Sequence, residues 1–252
     1  MKKEAGYRPG FYGKKRQSPD QWVDNYFKKW AKEEAEKKQA VKKPIHFPTI
    51  SFSRQIGVGA LEIADLLAQT IHYRVVDREI MEHMAEDANL SVKLIELFDE
   101  RYPGRINEWL AMITREKAFI KSDYARQLAK TVTALAATEP TIFVGRGAHF
   151  ILPWDLNLSV RIICSKKYRM DRLANLLNID RSEAEKHLDR FDKEQKQFFK
   201  TVFQKEEAAS DGFDLVINRD YFKDAVHVAK IIACAFEQKF GSEYILSSET
   251  SG

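Results

Sequence analysis

Three short stretches of the chain carry residue types able to handle phosphate. In the first, an apolar run opens into Ser53-Arg54-Gln55-Ile56-Gly57-Val58-Gly59-Ala60-Leu61-Glu62. Glycines two apart between a strand and a helix let backbone N–H groups turn toward an anion at the helix N-terminus, where the helix dipole also favours negative charge. The same glycines suit a tight structural turn, and a lone Gly-x-Gly does not separate the two readings. In the second stretch, Val144-Gly145-Arg146-Gly147-Ala148 sets one arginine between glycines. A planar guanidinium there can grip phosphate through paired hydrogen bonds, or make a surface ion pair. The third is Asp189-Arg190-Phe191-Asp192-Lys193-Glu194-Gln195-Lys196, with Lys166, Lys167, Arg169 and Arg172 upstream. Its plain reading is an exposed helix with i to i+4 ion pairs.

Other chemistries find little support. The six histidines, His46, His72, His83, His149, His187 and His227, show no HxxxH or HxH spacing, and Cys164 and Cys234 form no CxxC. No metal ligand set is expected. There is no GxSxG elbow for a serine hydrolase.

The elements that would position these residues follow an α/β pattern. Short apolar, β-branched runs occur at 49–52, 73–76, 141–144, 158–163 and 213–217, separated by longer helical stretches. That alternation predicts a five-stranded parallel sheet covered by helices on both faces, with ligands at the carboxyl ends of the strands. Asp77, at the end of the second run, either orients a ligand or caps the next helix, and the cap is the favoured role. Between the second and third strands lies a long helical insert, 78–140, with helices expected at 79–88, 92–100 and 114–137. A crossover does not need so much chain, so the insert reads as a substrate-binding subdomain.

The ends differ from the middle. Residues 1–43 hold thirteen Lys/Arg against six Asp/Glu, so this arm carries a surplus of seven positive charges and the remainder of the +4 chain is net −3. Residues 1–17 have no period and read as a mobile tail. Ser18-Pro19-Asp20-Gln21 then supplies an N-cap serine, a first-turn proline and a glutamine three residues after the cap, the parts of a capping box. Trp22, Val23, Tyr26, Phe27 and Trp30 form one aromatic face of the helix that follows. The first expectation is that this face packs on its own subunit or on a sister subunit, as in a homodimer or a complex with a protein partner. Nucleic acid or an acidic membrane surface is the lesser alternative. The chain divides into a basic arm (1–47), a core domain (48–241) with a lid-like region at 180–205, and a disordered tail (242–252). The apolar share of 44% and charged share of 31% are globular. Two cysteines, no run near the roughly 18 apolar residues of a membrane span and no signal-like N-terminus point to a soluble, cytoplasmic protein.

The order of segments resembles the cytidylate kinase-like family over roughly residues 48–240. The resemblance rests on a Ser-Arg-x-x-Gly-x-Gly loop opening a helix, then Val-Asp-Arg-Glu-Ile, then Phe-Val-Gly-Arg-Gly-Ala, then Asp-Leu-Val-Ile-Asn. It implies a P-loop nucleoside monophosphate kinase, which moves the γ-phosphoryl of ATP onto CMP or dCMP with Mg2+ bridging the donor phosphates. It also implies site roles. Ser53, Gly57, Val58, Gly59 and Arg172 would hold the donor phosphates. Asp77, Arg146 and Asp192 would hold the acceptor. Arg54, Arg146, Arg190 and Lys193 would neutralise charge during transfer.

The chain also departs from the motif. With Gly59 placed on the last glycine of GxxxxGK[ST], Arg54 falls on the first glycine, Ala60 on the lysine and Leu61 on the hydroxyl residue. The resembling family lacks that lysine and carries an arginine one position later, where this chain has Leu61. Gln195 stands where the family has a lid arginine. Arg54, Arg190, Lys193 or Lys196 are the cations placed to compensate. Two function classes therefore follow: an active kinase, or a relative that binds a nucleotide or a partner with little or no turnover.

Overall fold

The computed structural model describes residues 12–14, 16–36, 47–101, 122–205 and 212–244. Strands β1 (Thr49–Arg54), β2 (Arg74–Val76), β3 (Thr141–Val144), β4 (Asn157–Ile163) and β5 (Leu215–Asn218) form one sheet in the order β2-β3-β1-β4-β5. Every neighbouring pair is parallel. All five strands lie where the apolar runs predict them, with ends shifted by up to two residues. The fifth begins late because Asp214 spends its carboxylate on the backbone N–H (2.7 Å) and hydroxyl (2.9 Å) of Ser159.

Helices α1 (Pro19–Glu36), α2 (Ala60–Ile71), α3 (Arg78–Glu86), α4 (Ala88–Arg101), α5 (Asp123–Thr138), α6 (Ala148–Ile151), α7 (Lys166–Leu177), α8 (Arg181–Phe203) and α9 (Ala225–Phe240) complete the described architecture. The expected helix at 114–137 is seen from Asp123 onward, and its first part lies outside the described residues. Of the expected disordered tail, Ser242–Tyr244 form a 3-10 turn, and the rest lies outside the described residues.

Strand alternation sorts the core into two layers. Ile50, Phe52, Ile142, Val144, Leu158, Val160 and Ile162 pack with α2 and α9, while Val76 and Phe143 join the layer built by α3, α5 and α8. On that second face β1 and β4 set Thr49, Ser51 and Ser53 opposite Asn157, Ser159 and Arg161, all buried. These groups satisfy one another. Thr49 Oγ1 donates to Asn157 Oδ1 (3.2 Å), Asn157 Nδ2 to Ser51 Oγ (2.9 Å) and Arg161 Nη1 to Ser53 Oγ (2.6 Å). Burying polar groups is tolerable only when they are paired in this way.

The arm is a docked element. Its capping box forms as the sequence predicts: Gln21 N donates to Ser18 Oγ (3.2 Å) and Ser18 N to Gln21 Oε1 (3.1 Å). Val23, Tyr26 and Trp30 are buried, and Val23 and Tyr26 join the core cluster that contains Met81 and Met84. Tyr26 shares a buried hydrogen bond with Thr138 (2.8 Å). The Arg74 guanidinium lies over the Trp22 and Tyr26 rings, 5.3 and 4.9 Å from their centres, and pairs with Glu139 at 2.7 Å. The aromatic face is thus covered by its own chain, the first of the expected covers. The mobile-tail expectation fails at its described residues, since Tyr12, Lys14 and Arg16 all bind Asp65.

If α1 is core, Tyr26→Ala lowers the unfolding free energy by about 3–5 kcal/mol, and Tyr26→Phe by about 1 kcal/mol. Urea unfolding measures both. An unshifted midpoint for Tyr26→Ala would show a helix that contributes nothing to the fold.

Candidate functional site

Because β1 is flanked by β3 and β4, the loops leaving these three strands meet at one end of the sheet. The loop after β1 is shaped by two left-handed glycines, Gly57 (φ 83°) and Gly59 (φ 79°), the second of which is the N-cap of α2. The space around both is also tight. A Cβ on Gly57 would come within 3.2 Å of Leu188, and one on Gly59 within 3.0 Å of the Arg172 guanidinium. Ile56 and Val58 anchor the loop in the core, while Gln55 accepts from Cys164 N (2.9 Å) and donates its backbone N–H to Ile162 O (3.2 Å). Ala60 and Leu61 are buried in the packing of α2, so the two positions that would carry a phosphate lysine and a hydroxyl serve the core instead. The cation on this loop comes from α7. Arg172 lies against Gly59 and pairs with Glu62 at 2.7 Å.

Beside the loop is a cavity of about 630 Å3 whose walls include Arg54, Arg78, Glu82, Tyr124, Arg146 and Phe198. Arg54 ends β1, Arg78 opens α3, and Arg146 follows β3, so three guanidiniums arrive from three different elements. Arg146 itself is left-handed (φ 47°) between Gly145 (φ 96°) and Gly147 (φ 68°). For an arginine that conformation costs about 1–2 kcal/mol, and such strain gathers where geometry is held for function. A Cβ on Gly147 would collide with the Phe203 ring, which keeps this turn closed. The Arg146 guanidinium sits 4.0 Å from the Phe198 ring centre and forms an ion pair with Glu82. Burial pushes its pKa down to about 8, with Arg78 and Arg54 pushing the same way and Glu194 opposing them. A guanidinium holds its proton strongly, so a buried Arg146 needs an anionic partner. Glu86 and Glu194 also line the cavity, but the carboxylate that meets these guanidiniums directly is Glu82. One of its oxygens takes Arg146, and the other accepts from Arg78 Nε at 3.1 Å.

The expected site residues divide into those that reach the cavity and those that brace it. Arg54, Arg146 and Lys193 line it. Arg172, Gly57, Val58 and Gly59 form or cover the glycine loop, although the Val58 side chain is in the core and only its backbone can face a ligand. Ser53 turns toward the sheet and accepts from Arg161. Asp77 caps α3 by accepting from Ile80 N (3.0 Å), as its favoured reading expects, and its other oxygen pairs with Arg16 at 3.3 Å. Asp192 has both oxygens on Arg169 Nη1 (2.9 and 2.8 Å), and that guanidinium also donates to Ile56 O (3.3 Å), so the pair props the glycine loop from α8. Arg190 is outside the set of cavity-lining residues. It contacts His187 Nδ1 (3.3 Å) and lies over Phe191. Gln195 holds Arg54, accepting from its Nη1 (2.9 Å) and donating to its carbonyl (3.1 Å).

Sequence reasoning missed Arg78, Glu82, Tyr124, Phe198 and the bracing role of Arg169. The i to i+4 spacing of Arg78 and Glu82 just after a strand end was a usable signal. Tyr124 and Phe198 had none, since only the fold brings α5 and α8 together. Among the described residues no group of three or more His, Cys, Asp or Glu could hold a metal ion. Cys164 and Cys234 are free thiols, and burial pushes Cys164 up to about 12.

An uncharacterized protein from Eubacterium ventriosum superposes with a TM-score of 0.57 at 20% identity, covering 75% of this chain and 98% of that one. Shikimate kinase from Bacteroides thetaiotaomicron matches with a TM-score of 0.39 at 12% identity, over 75% of this chain and 96% of its own. TT1252 from Thermus thermophilus gives a TM-score of 0.37 at 18% identity, over 75% and 97%. No curated protein matches the chain. The sequence profile of the cytidylate kinase-like family matches residues 49–221, from the first residue of β1 to just past β5. The chain therefore belongs to the cytidylate kinase-like family.

Proposed function

We propose that this protein is an ATP-dependent nucleoside monophosphate kinase whose acceptor is CMP or dCMP. The observation that carries the reading is the convergence of Arg54, Arg78 and Arg146 on one cavity beside a left-handed glycine loop at a helix N-terminus. The loop is the donor-phosphate seat, with backbone N–H groups and Arg172 facing the anion. The cavity is the acceptor seat, with Arg146 and Arg78 on the acceptor phosphate and Tyr124 and Phe198 as apolar walls for the nucleoside.

In the transfer, an anionic oxygen of the acceptor phosphate forms a bond to the γ-phosphorus. The bond from that phosphorus to the β,γ-bridging oxygen breaks, and ADP leaves with the electron pair. The attacking oxygen is already ionised at neutral pH, so no general base is required. What the site must provide is alignment and positive charge. Arg54, which ends β1 immediately before the glycine loop, spans donor and acceptor. Lys193 stands on the cavity rim.

The donor seat suits nucleotide phosphates better than it suits a protein-held metal. Leu61 offers no hydroxyl, and Ser53 is committed to Arg161. Mg2+ commonly arrives on phosphate oxygens and keeps several waters; when bound it would supply charge neutralisation for the donor phosphates. No residue of this chain is assigned to it.

A second reading has its own support. Arg146 and Arg78 share Glu82, Arg54 is held by Gln195, Arg172 by Glu62 and Arg169 by Asp192. A site whose cations are internally paired also suits a relative that binds nucleotide with little turnover.

One experiment decides between these. Titration calorimetry with ATP·Mg and with CMP, followed by a coupled assay for ADP, should give ADP release that requires CMP and falls by about 10²–10³ in Arg146→Ala. Binding without turnover selects the second reading, and failure to bind either ligand removes both. Glu82→Gln takes away the carboxylate that Arg146 and Arg78 share, so CMP should bind about 5-fold to 10-fold more tightly, a gain of roughly 1 kcal/mol expected from relieving one like-charge contact near the surface. Weaker binding in Glu82→Gln would mean that the carboxylate orients Arg146 and does not compete with phosphate.

A further inference from the structure

Asp65 is a carboxylate in an apolar setting. It lies on α2, the helix that the glycine loop opens, among Ile63, Ala64 and Leu67, and its exposure is 9%. An ionised carboxylate so placed needs partners. Among the described residues all of them come from the arm: the Tyr12 hydroxyl donates to Oδ2, Lys14 Nζ lies at 3.4 Å and Arg16 Nη1 at 2.9 Å. The arm precedes the family match at 49–221, whereas Asp65 lies within it, so the pairing joins the matched residues to chain outside them.

Arg16 does more than neutralise Asp65. Its Nε reaches Asp77 Oδ2 at 3.3 Å, while Asp77 Oδ1 caps the first turn of α3 through Ile80 N. The residue after Asp77 is Arg78, and one helical turn further is Glu82, both in the cavity wall. One guanidinium therefore bridges two carboxylates, one on the glycine-loop helix and one at the start of the helix that carries the acceptor-side charges. A forked, rigid group suits such a bridge, whereas a lysine can satisfy one of the two. α1 secures the same region from outside, since Asp20 contacts His83 on α3 at 3.3 Å and the aromatic face packs against the core that contains Met81 and Met84.

We infer that Arg16 is a positioning residue: acting through Asp65 and Asp77, it holds the first turn of α3, and with it Arg78 and Glu82, in register with the glycine-loop helix. The inference about substrate rests on the cavity being the acceptor seat; the inference about α3 does not. In the full-length protein, Arg16→Met keeps most of the side-chain stem and removes the bridge. Hydrogen exchange at the Ile80 and Met81 amides should speed up by about tenfold, with α9 amides unchanged. The Kd for CMP should rise by about tenfold with little change for ATP·Mg. Arg16→Lys should recover part of both effects. Unchanged exchange at Ile80 and Met81 would overturn the proposal, and so would faster exchange with unaltered CMP affinity in a protein that binds CMP. If the unmodified protein binds no CMP, the kinase reading fails on that result alone, and the exchange comparison still decides whether Arg16 holds α3.

Discussion

Guanidinium groups crowded at one end of a parallel sheet repel one another unless each has an anion, and the rest of this structure is arranged around that constraint. Arg54, Arg78 and Arg146 share one cavity, and Arg169 and Arg172 press on the neighbouring loop. Each is held by a group from another turn or element: Glu82 from α3, Glu62 from α2, Asp192 and Gln195 from α8. A charged pair with little water around it stabilises only if its geometry is good, and removing one partner leaves a costly lone charge. The guanidiniums are thus met within the chain by carboxylates and an amide. On the proposed reading, a phosphate must compete with these partners for the same cations.

The loop after β1 departs from the Walker pattern in sequence and sets two left-handed glycines at a helix N-terminus. Ala60 and Leu61 pack into the core, where a lysine and a hydroxyl would stand in the Walker arrangement. Positive charge is supplied from another part of the chain, since Arg172 comes down from α7 until its guanidinium meets Gly59. Phosphate recognition depends on where charge and N–H groups are in space, so backbone origin is free to change.

This explains what was readable from the chain. Strand positions were legible because β-branched runs such as Thr141–Val144 and Asn157–Ile163 are bounded by turn residues, and the capping box at Ser18 was legible because its two bonds are local. Arg146 and the Gly57 to Gly59 loop stood out because their neighbouring glycines mark special backbone. Partnerships across elements were not legible. Asp192 looked like a ligand residue and braces Arg169; Arg190 looked like a lid cation and packs on Phe191. On α8 neighbouring residues point about 100° apart, so a shift of one or two positions separates facing the cavity from facing away. Lys193 and Gln195 meet the cavity, and Arg190 does not.

The arm shows the same limit from the other side. Its helix and the cover of its aromatic face were read correctly, while its basic residues kept an external acidic surface open as the lesser alternative, because net charge alone carries no direction. Part of that charge is already used within the chain, with Arg16 and Lys14 on Asp65, Arg16 on Asp77 and Lys29 near Glu139. A buried Asp65 in the middle of an otherwise apolar helix face was the sequence-level sign that something basic must come to meet it. The arm's surplus of seven positive charges thus faces a remainder of the chain that is net −3. That complementarity, together with the aromatic face closed over Thr138 and Arg74, makes the extension a wall of the domain it precedes.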